Sequence, residues 1–269
     1  MDDRETPVGE LVWACVDVET TGLKPSEGHR ICEIAIVRGP ASALPERWST
    51  LVNPERALDP AAAAVNRLTA AELAAAPTFA QVEPDVRLRL TDTVLVAHNS
   101  EFDLGFLESD LRRCGCAPLS NLVVDTMLLA RAQFQFASNS LGALVRSLGL
   151  PPTAEHRALG DALATRAVLL ALLERLPAVR TLGDLLVAQT PAFDWLLANR
   201  ALAPLIAEAL RTGAQLLLVY EGRDGRTERM VTPQRVVVQR TRGHLRAFCH
   251  TRGEERSFRL DRIAHVEPL

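Results

Sequence analysis

Lysine is almost missing from this chain. Lys24 stands alone, and every other one of the 30 basic residues is arginine. That skew fits a GC-rich genome and carries little mechanism. Cysteine is scarce and irregular: there are five, an odd number, and Cys114-Gly-Cys116 has no matching second pair. A structural zinc site is therefore not expected, and the usage fits a reducing compartment. No apolar run approaches the roughly 20 residues of a membrane span, since A-V-L-L-A-L-L at 167–173 stops at Glu174. The opening residues M-D-D-R-E-T-P are polar and acidic, unlike a signal peptide. Internal repeats and low-complexity tracts are absent too. Together these absences lead to the expectation of a cytoplasmic protein (bacterial cytosol or nucleoid) with no membrane partner.

What is present is enough apolar material for a sizeable core: 48% hydrophobic residues in a chain of 269. The net charge of −3 argues against a uniformly cationic coat for nucleic acid, but the charge is unevenly placed. Residues 213–269 carry 11 arginines and 7 acids, net +4, whereas the rest of the chain is net −7. An acidic front and a basic tail point to two modules with different tasks.

Apolar runs at 11–18, 31–38 and 47–54 read as strands joined by short links, an antiparallel meander. Helical patterns at 69–76 and 79–90, a strand at 93–99, a helix at 101–113, a strand at 122–125 and helices at 126–133, 140–148 and 157–175 follow. This is an α/β pattern with a mixed five-stranded sheet and flanking helices. The expected layout is a domain over 1–178, a helical linker over 179–212 and a small all-β module over 213–269, whose short strands are separated by turn signals such as R-D-G-R and T-R-G-E.

Within the first strand, V-D-V-E-T-T-G-L (16–23) sets Asp17 and Glu19 two apart, on one face. Two like charges aimed at one spot need something positive between them. H-N-S-E-F-D (98–103) runs off the fourth strand and puts Asp103 in the first turn of a helix. H-R-A-L-G-D-A (156–162) opens a later helix with His156 and Asp161. Each has a plainer reading: Asp103 suits the positive end of its helix with Ser100 as cap, Asp161 a solvated helix position, His156 a loop. The four acids lie at element ends that a mixed sheet can bring together. Four hard oxygen ligands suit Mg²⁺ or Mn²⁺, not zinc, and a pair of such ions about 4 Å apart clamps the attacking and leaving oxygens of a phosphoryl displacement. An imidazole with a pKa near 6.5 can take the proton of an activated water. His156 and Asp161 are about 140° apart around an ideal helix, so His156 belongs in the loop or first turn.

The three motifs, in this order, resemble those of the DEDDh (DnaQ-like) 3′–5′ exonucleases of the DNA polymerase III epsilon type, which have an RNase H-like fold. The resemblance covers about residues 10–176. It implies Asp17, Glu19, Asp103 and Asp161 as ligands of two Mg²⁺ or Mn²⁺ ions, His156 as general base, and release of 5′-mononucleotides from a free 3′ end. Thr20, Gly22, Leu23 and Phe102 fall at positions that contact the terminal nucleotide, although Gly22 also suits a tight bend and Leu23 a core. His98 and Asn99 read as braces for the Asp103 loop, and Asp125-Thr126 as structural, with Thr126 capping the next helix.

Residues from about 214 to the end resemble a WYL domain, a small SH3-like barrel, through L-L-L-V-Y, R-M-V-T-P, L-R-A-F-C and R-S-F-R-L-D-R-I. The Trp-Tyr-Leu positions appear as Gly243-His244-Leu245. The resemblance implies a nucleic-acid or nucleotide-sensing surface. If 256–262 is one strand, Arg256, Phe258 and Arg262 share a face with Arg259 opposite. With Arg246 these are candidates to grip phosphates and stack a base; the plainer reading makes Phe258 core. The expected partner is nucleic acid, single strands or 3′ ends with DNA favoured, and association with a polymerase stays open. The rival readings are a WYL-based nucleic-acid-binding regulator with minor nuclease activity and an RNA-trimming exoribonuclease.

Overall fold

The computed structural model describes residues 4–152, 157–190, 202–222, 225–239 and 242–269. The chain divides into two compact units: Gly9–Met127 with Phe136–Arg175, and Met1–Val8 with Leu128–Gln135 and Leu176–Leu269.

The first unit is built on a five-stranded mixed sheet in the order β3-β2-β1-β4-β5. Strand β1 (Val12–Thr20) is central. On one side β2 (Ile31–Pro40) and β3 (Glu46–Leu51) continue antiparallel, as the short links require. On the other, β4 (Val94–Ala97) and β5 (Val123–Asp125) run parallel to β1. A central strand is covered on both faces, so β1 is apolar almost throughout: Trp13, Ala14, Cys15, Val16 and Val18 are all buried. Pairing of Trp13–Cys15 with Val94–Val96 makes the chain leave β4 beside the Asp17–Glu19 end of β1. The carboxyl ends of parallel strands, where ligand sites of open sheets form, therefore coincide with the acidic end of the central strand.

Helices α3 (Phe79–Leu90) and α4 (Ser100–Arg113) feed Phe79, Val86, Leu90, Phe106 and Leu107 into the core against β1, β2 and β4. Helices α2 (Ala70–Ala75), α5 (Thr126–Gln133) and α6 (Leu141–Ser147) fall where the patterns put them. Helix α7 (Ala158–Leu173) buries Ala158, Gly160, Ala162 and Ala164 near its start, small residues that let its backbone approach the sheet closely. Helix α1 (Pro60–Asn66) has no sequence expectation behind it, because P-A-A-A-A-V-N shows no apolar face; Asp59 followed by Pro60 was its only start signal.

In the second unit, β6 (Leu216–Gly222), β7 (Gly225–Gln239), β8 (Arg242–Cys249), β9 (Glu254–Arg259) and β10 (Ile263–Pro268) form one antiparallel sheet in the order β10-β6-β7-β8-β9. A closed SH3-like barrel was expected; among the described residues β10 and β9 are separate edges and do not pair. The strand expected over 256–262 stops at Arg259, and a 3-10 turn, Leu260–Arg262, follows. That turn removes Arg262 from the alternation with Arg256. Helices α8 (Leu182–Ala188) and α9 (Ala203–Thr212) are more than a connector. Ile206, Ala209 and Leu210 of α9 share a core with Leu216, Val231, Leu245, Phe258 and Ile263, and Val187 of α8 packs against it.

The start of the chain is bound into this unit. The Arg4 guanidinium is buried and donates to Ala209 O (3.0 Å), Leu210 O (2.5 Å) and Pro233 O (2.8 Å). It thus adds a donor to two carbonyls in the last turn of α9, of which Ala209 O also accepts the Gly213 amide at 2.9 Å. Backbone bonds from Gly183 N to Arg4 O (2.8 Å) and Leu182 N to Thr6 O (3.0 Å) hold the same segment. Gly183 is itself a close-approach position, because a Cβ there would lie 2.0 Å from Arg211 O. Among the described residues no helix is long and apolar enough to cross a membrane.

Candidate active site

Asp17, Glu19 and Asp161 each turn one carboxylate oxygen to a common point, with these atoms all within 4.8 Å of one another. The pleat of β1 puts the first two on one face, as their spacing requires. Asp161 comes from the first turns of α7, where its amide donates to Arg157 O at 3.1 Å. Asp103 is outside this trio but close enough to act on Asp17, and its Oδ1 accepts the Val18 amide at 3.1 Å, which ties α4 to β1 between the two acids. His156 lies outside the described residues.

The electrostatics are those of crowded acids. Burial, then Asp103, Asp161, Glu19 and Glu33, push the Asp17 carboxyl well above the usual range. Burial together with Asp161 and Glu33 raises Glu19 to about 7, with Arg157 pulling the other way. Burial raises Asp103 to about 8 against the lowering effect of the Val18 amide. Three converging oxygens, with no sulfur or imidazole among them, could hold a metal ion, and oxygen donors suit a hard divalent cation.

Around this point lie residues the sequence did not single out. Glu33, directly across from Glu19 in the β1–β2 register, is buried and held by Arg157 in a two-pronged pair: Nε to Oε2 at 3.0 Å and Nη2 to Oε1 at 2.9 Å. Asn66, at the end of α1, donates to Thr20 O at 3.1 Å and fixes the strand end beside Glu19. Asp125 performs the capping expected of Ser100 and Thr126: it accepts from Asn99 N (3.2 Å) and Ser100 N (2.7 Å) at the start of α4, and from Met127 N (2.9 Å) in α5. Thr126 instead bonds His98 Nδ1 at 2.9 Å, and His98 Nε2 meets Asn139 O at 2.9 Å, so His98 is a brace. The signals for Glu33, Arg157 and Asn66 were invisible, because their partners are distant in the chain.

Beyond β1, Thr20 is buried with its hydroxyl donating to Gly22 O at 2.7 Å. Gly22 is required by contact: a Cβ there would lie 2.3–2.6 Å from the His29 ring. Leu23 is 80% exposed, so it is a projecting apolar side chain and not core. Phe102 is partly buried, with its ring 5.1 Å from that of Phe106.

In the second unit, Phe258 is buried in the core, edge-on to Tyr220 at 5.3 Å, and is not available to stack a base. Arg259 is paired with Asp261, exposed Arg256 with Glu254 at 3.1 Å, and Arg246 lies 3.8 Å from Glu255; Arg262 is half-buried in the 3-10 turn. The outward alternation falls on β8 instead. There His244, Arg246 and Phe248 alternate with buried Leu245, Ala247 and Cys249, and His250 sets its ring 5.1 Å from that of Phe248. Gly243 is also a contact requirement, since a Cβ would lie 2.6 Å from Leu260 Cδ1.

The exonuclease family of RNase T matches residues 14–169, and the WYL domain family matches residues 201–268. The chain is 41% identical over 179 residues to a DNA polymerase III subunit epsilon-like protein of Rhodobacter capsulatus, covering 65% of this chain and 25% of that protein. It is 39% identical over 155 residues to the DNA polymerase III subunit epsilon of Treponema pallidum, covering 56% of this chain and 72% of that one. A structure of exonuclease X in complex with 5′ overhanging duplex DNA superposes with a TM-score of 0.54 at 28% identity, over 66% of this chain and 99% of that one. The chain thus spans about a quarter of the Rhodobacter protein and most of the Treponema one. With three acids of its ordered motifs converging at the end of the central strand and more than half its length matched, the chain belongs to the exonuclease family.

Proposed function

We propose that the chain hydrolyses phosphodiester bonds from the 3′ end of nucleic acid, single-stranded DNA foremost, releasing 5′-mononucleotides. The observation that carries this is the convergence of Asp17, Glu19 and Asp161 within 4.8 Å, with Asp103 latched to the strand between the first two. Two Mg²⁺ or Mn²⁺ ions, when bound, supply positive charge against the scissile phosphate and acidify water. The protein's own part is positioning. Asp17, Glu19, Asp103 and Asp161 give up their protons and hold the cations. Leu23 and Phe102 bracket the terminal base, while Thr20 and Gly22 shape the turn that receives the 3′ hydroxyl. His156 takes the proton of the attacking water through its imidazole. The family and the relatives named for DNA polymerase III epsilon support this reading.

The second unit's role in this scheme is to hold the strand. His244, Arg246, Phe248 and His250 give a line of cationic and aromatic groups suited to phosphates and unstacked bases.

The test is digestion of 3′-labelled and 5′-labelled DNA and RNA, single- and double-stranded, with Mg²⁺, Mn²⁺ or EDTA. Release of labelled mononucleotide from the 3′ end, abolished by EDTA and lowered on the order of 10³-fold or more by Asp17→Ala, is expected. Cleavage that survives EDTA or Asp17→Ala, or that starts at the 5′ end, overturns the proposal. Faster digestion of RNA than of DNA overturns only the substrate preference. Phe248→Ala is expected to raise KM for long single strands about tenfold with kcat unchanged, from the loss of one stacked base; an unchanged KM removes the strand-holding role.

A further inference from the structure

We infer that Glu33 and Arg157 are positioning residues of the active site, a clamp that sets the distance between the β1 and α7 carboxylates. The inference rests on the proposed cation chemistry of that site. Glu33 is the cross-strand neighbour of Glu19, so its backbone is fixed to the strand that carries two of the acids. Arg157 is the N-cap residue of α7, four positions before Asp161 and bonded to it through the first turn. It is also the residue after His156. The guanidinium grips both Glu33 oxygens, and the Ala158 amide adds a third bond to Oε2 at 3.4 Å. A closed path therefore runs from Glu19 through Glu33 and Arg157 to Asp161.

Two features mark this as more than a surface ion pair. Glu33 is 3% exposed, and a fifth carboxylate so close to the other four would otherwise repel them or draw a cation away from the productive position. The bidentate pair with Arg157 turns both of its oxygens to the guanidinium, and the converging trio is Asp17, Glu19 and Asp161 without it. The planar fork of Arg157 also fixes an angle as well as a distance, which a lysine cannot do. Partners that orient cation ligands without touching the cation commonly change affinity or activity 10–100-fold when lost.

The experiment compares the full chain with Arg157→Ala, Arg157→Lys, Glu33→Gln and the double variant Glu33→Gln/Arg157→Ala. Three quantities are read: Mn²⁺ affinity by calorimetry without nucleic acid, kcat and KM on a 3′-labelled single strand, and the unfolding midpoint in EDTA. Arg157→Ala is expected to weaken Mn²⁺ about tenfold and lower kcat 10–100-fold, with KM for the strand changed less than twofold. Arg157→Lys, which keeps the charge but not the fork, recovers less than half of either loss on a logarithmic scale. The double variant is no worse than Arg157→Ala, because the two side chains act as one unit. Wild-type Mn²⁺ affinity in Arg157→Ala or in Glu33→Gln overturns the inference, as does full recovery by lysine. A wild-type chain that binds Mn²⁺ but degrades no 3′ end overturns the proposed function instead, and the Mn²⁺ titrations still decide the clamp.

Discussion

At the scale of single residues, Glu19 and Asp103 retain protons that ordinary carboxyls lose well below neutrality, up to about 7 and about 8. A carboxyl whose folded value lies above its unfolded one makes the folded state bind more protons, so stability falls as pH rises through the window between them. For these two groups the window runs from roughly pH 4 to 8. In EDTA the unfolding midpoint is therefore expected to be higher at pH 5 than at pH 8, and saturating Mn²⁺ at pH 8 recovers the loss by replacing the protons. A flat midpoint across that range in EDTA would show that the acids are not crowded as described. The crowding was legible in advance where local geometry suffices: Asp17 and Glu19 share a face because any strand puts them there. Glu33 and Arg157 were not, since they are 124 positions apart and their pairing follows only once β2 and α7 are packed. Phe258 and Phe248 show the same limit. Both are aromatic residues in short basic strands, and only the sheet's register decides which one is buried, Phe258 opposite Leu245.

At the scale of elements, the end of α9 is where the second unit is tightest. Gly183→Ala would force a methyl group against Arg211 O, and Arg4→Met would take the guanidinium donor away from three carbonyls. Each is expected to cost about 1–3 kcal/mol, measured by denaturant unfolding of the full chain; a change below about 0.5 kcal/mol for both would contradict the packing described. Neither contact has a sequence signature, since a glycine before an acid in a helix and an arginine near the N-terminus are commonplace. Elements themselves were legible in proportion to their periodicity. Helices α3 and α5 carry clear apolar spacing and match their expected spans. Helix α1, four alanines after a proline, has no face to detect. The strand expected over 256–262 fails because Leu260 turns inward through a 3-10 turn that period-two counting cannot register.

On the scale of the whole molecule, the chain contributes to the second unit three times, at its start, at Leu128–Gln135 and from Leu176 onward. A chain cut after Ala178 keeps the middle segment but loses the rest of the unit with which it clusters. Leu129 and Ala130, fully buried in the intact protein, belong to that segment. The truncated form is expected to bind a hydrophobic dye and to unfold at a lower midpoint than the full chain. Equal midpoints would show that the first unit is self-sufficient. Composition made two modules visible through the change from acidic to basic charge, but this interleaving leaves no trace in composition. Residues 4–8 and β10 belong to the same unit, and that has a mechanical corollary. A pull between Arg4 and β10 is borne within that unit, by the guanidinium bonds to Ala209, Leu210 and Pro233 and by the β10–β6 pairing.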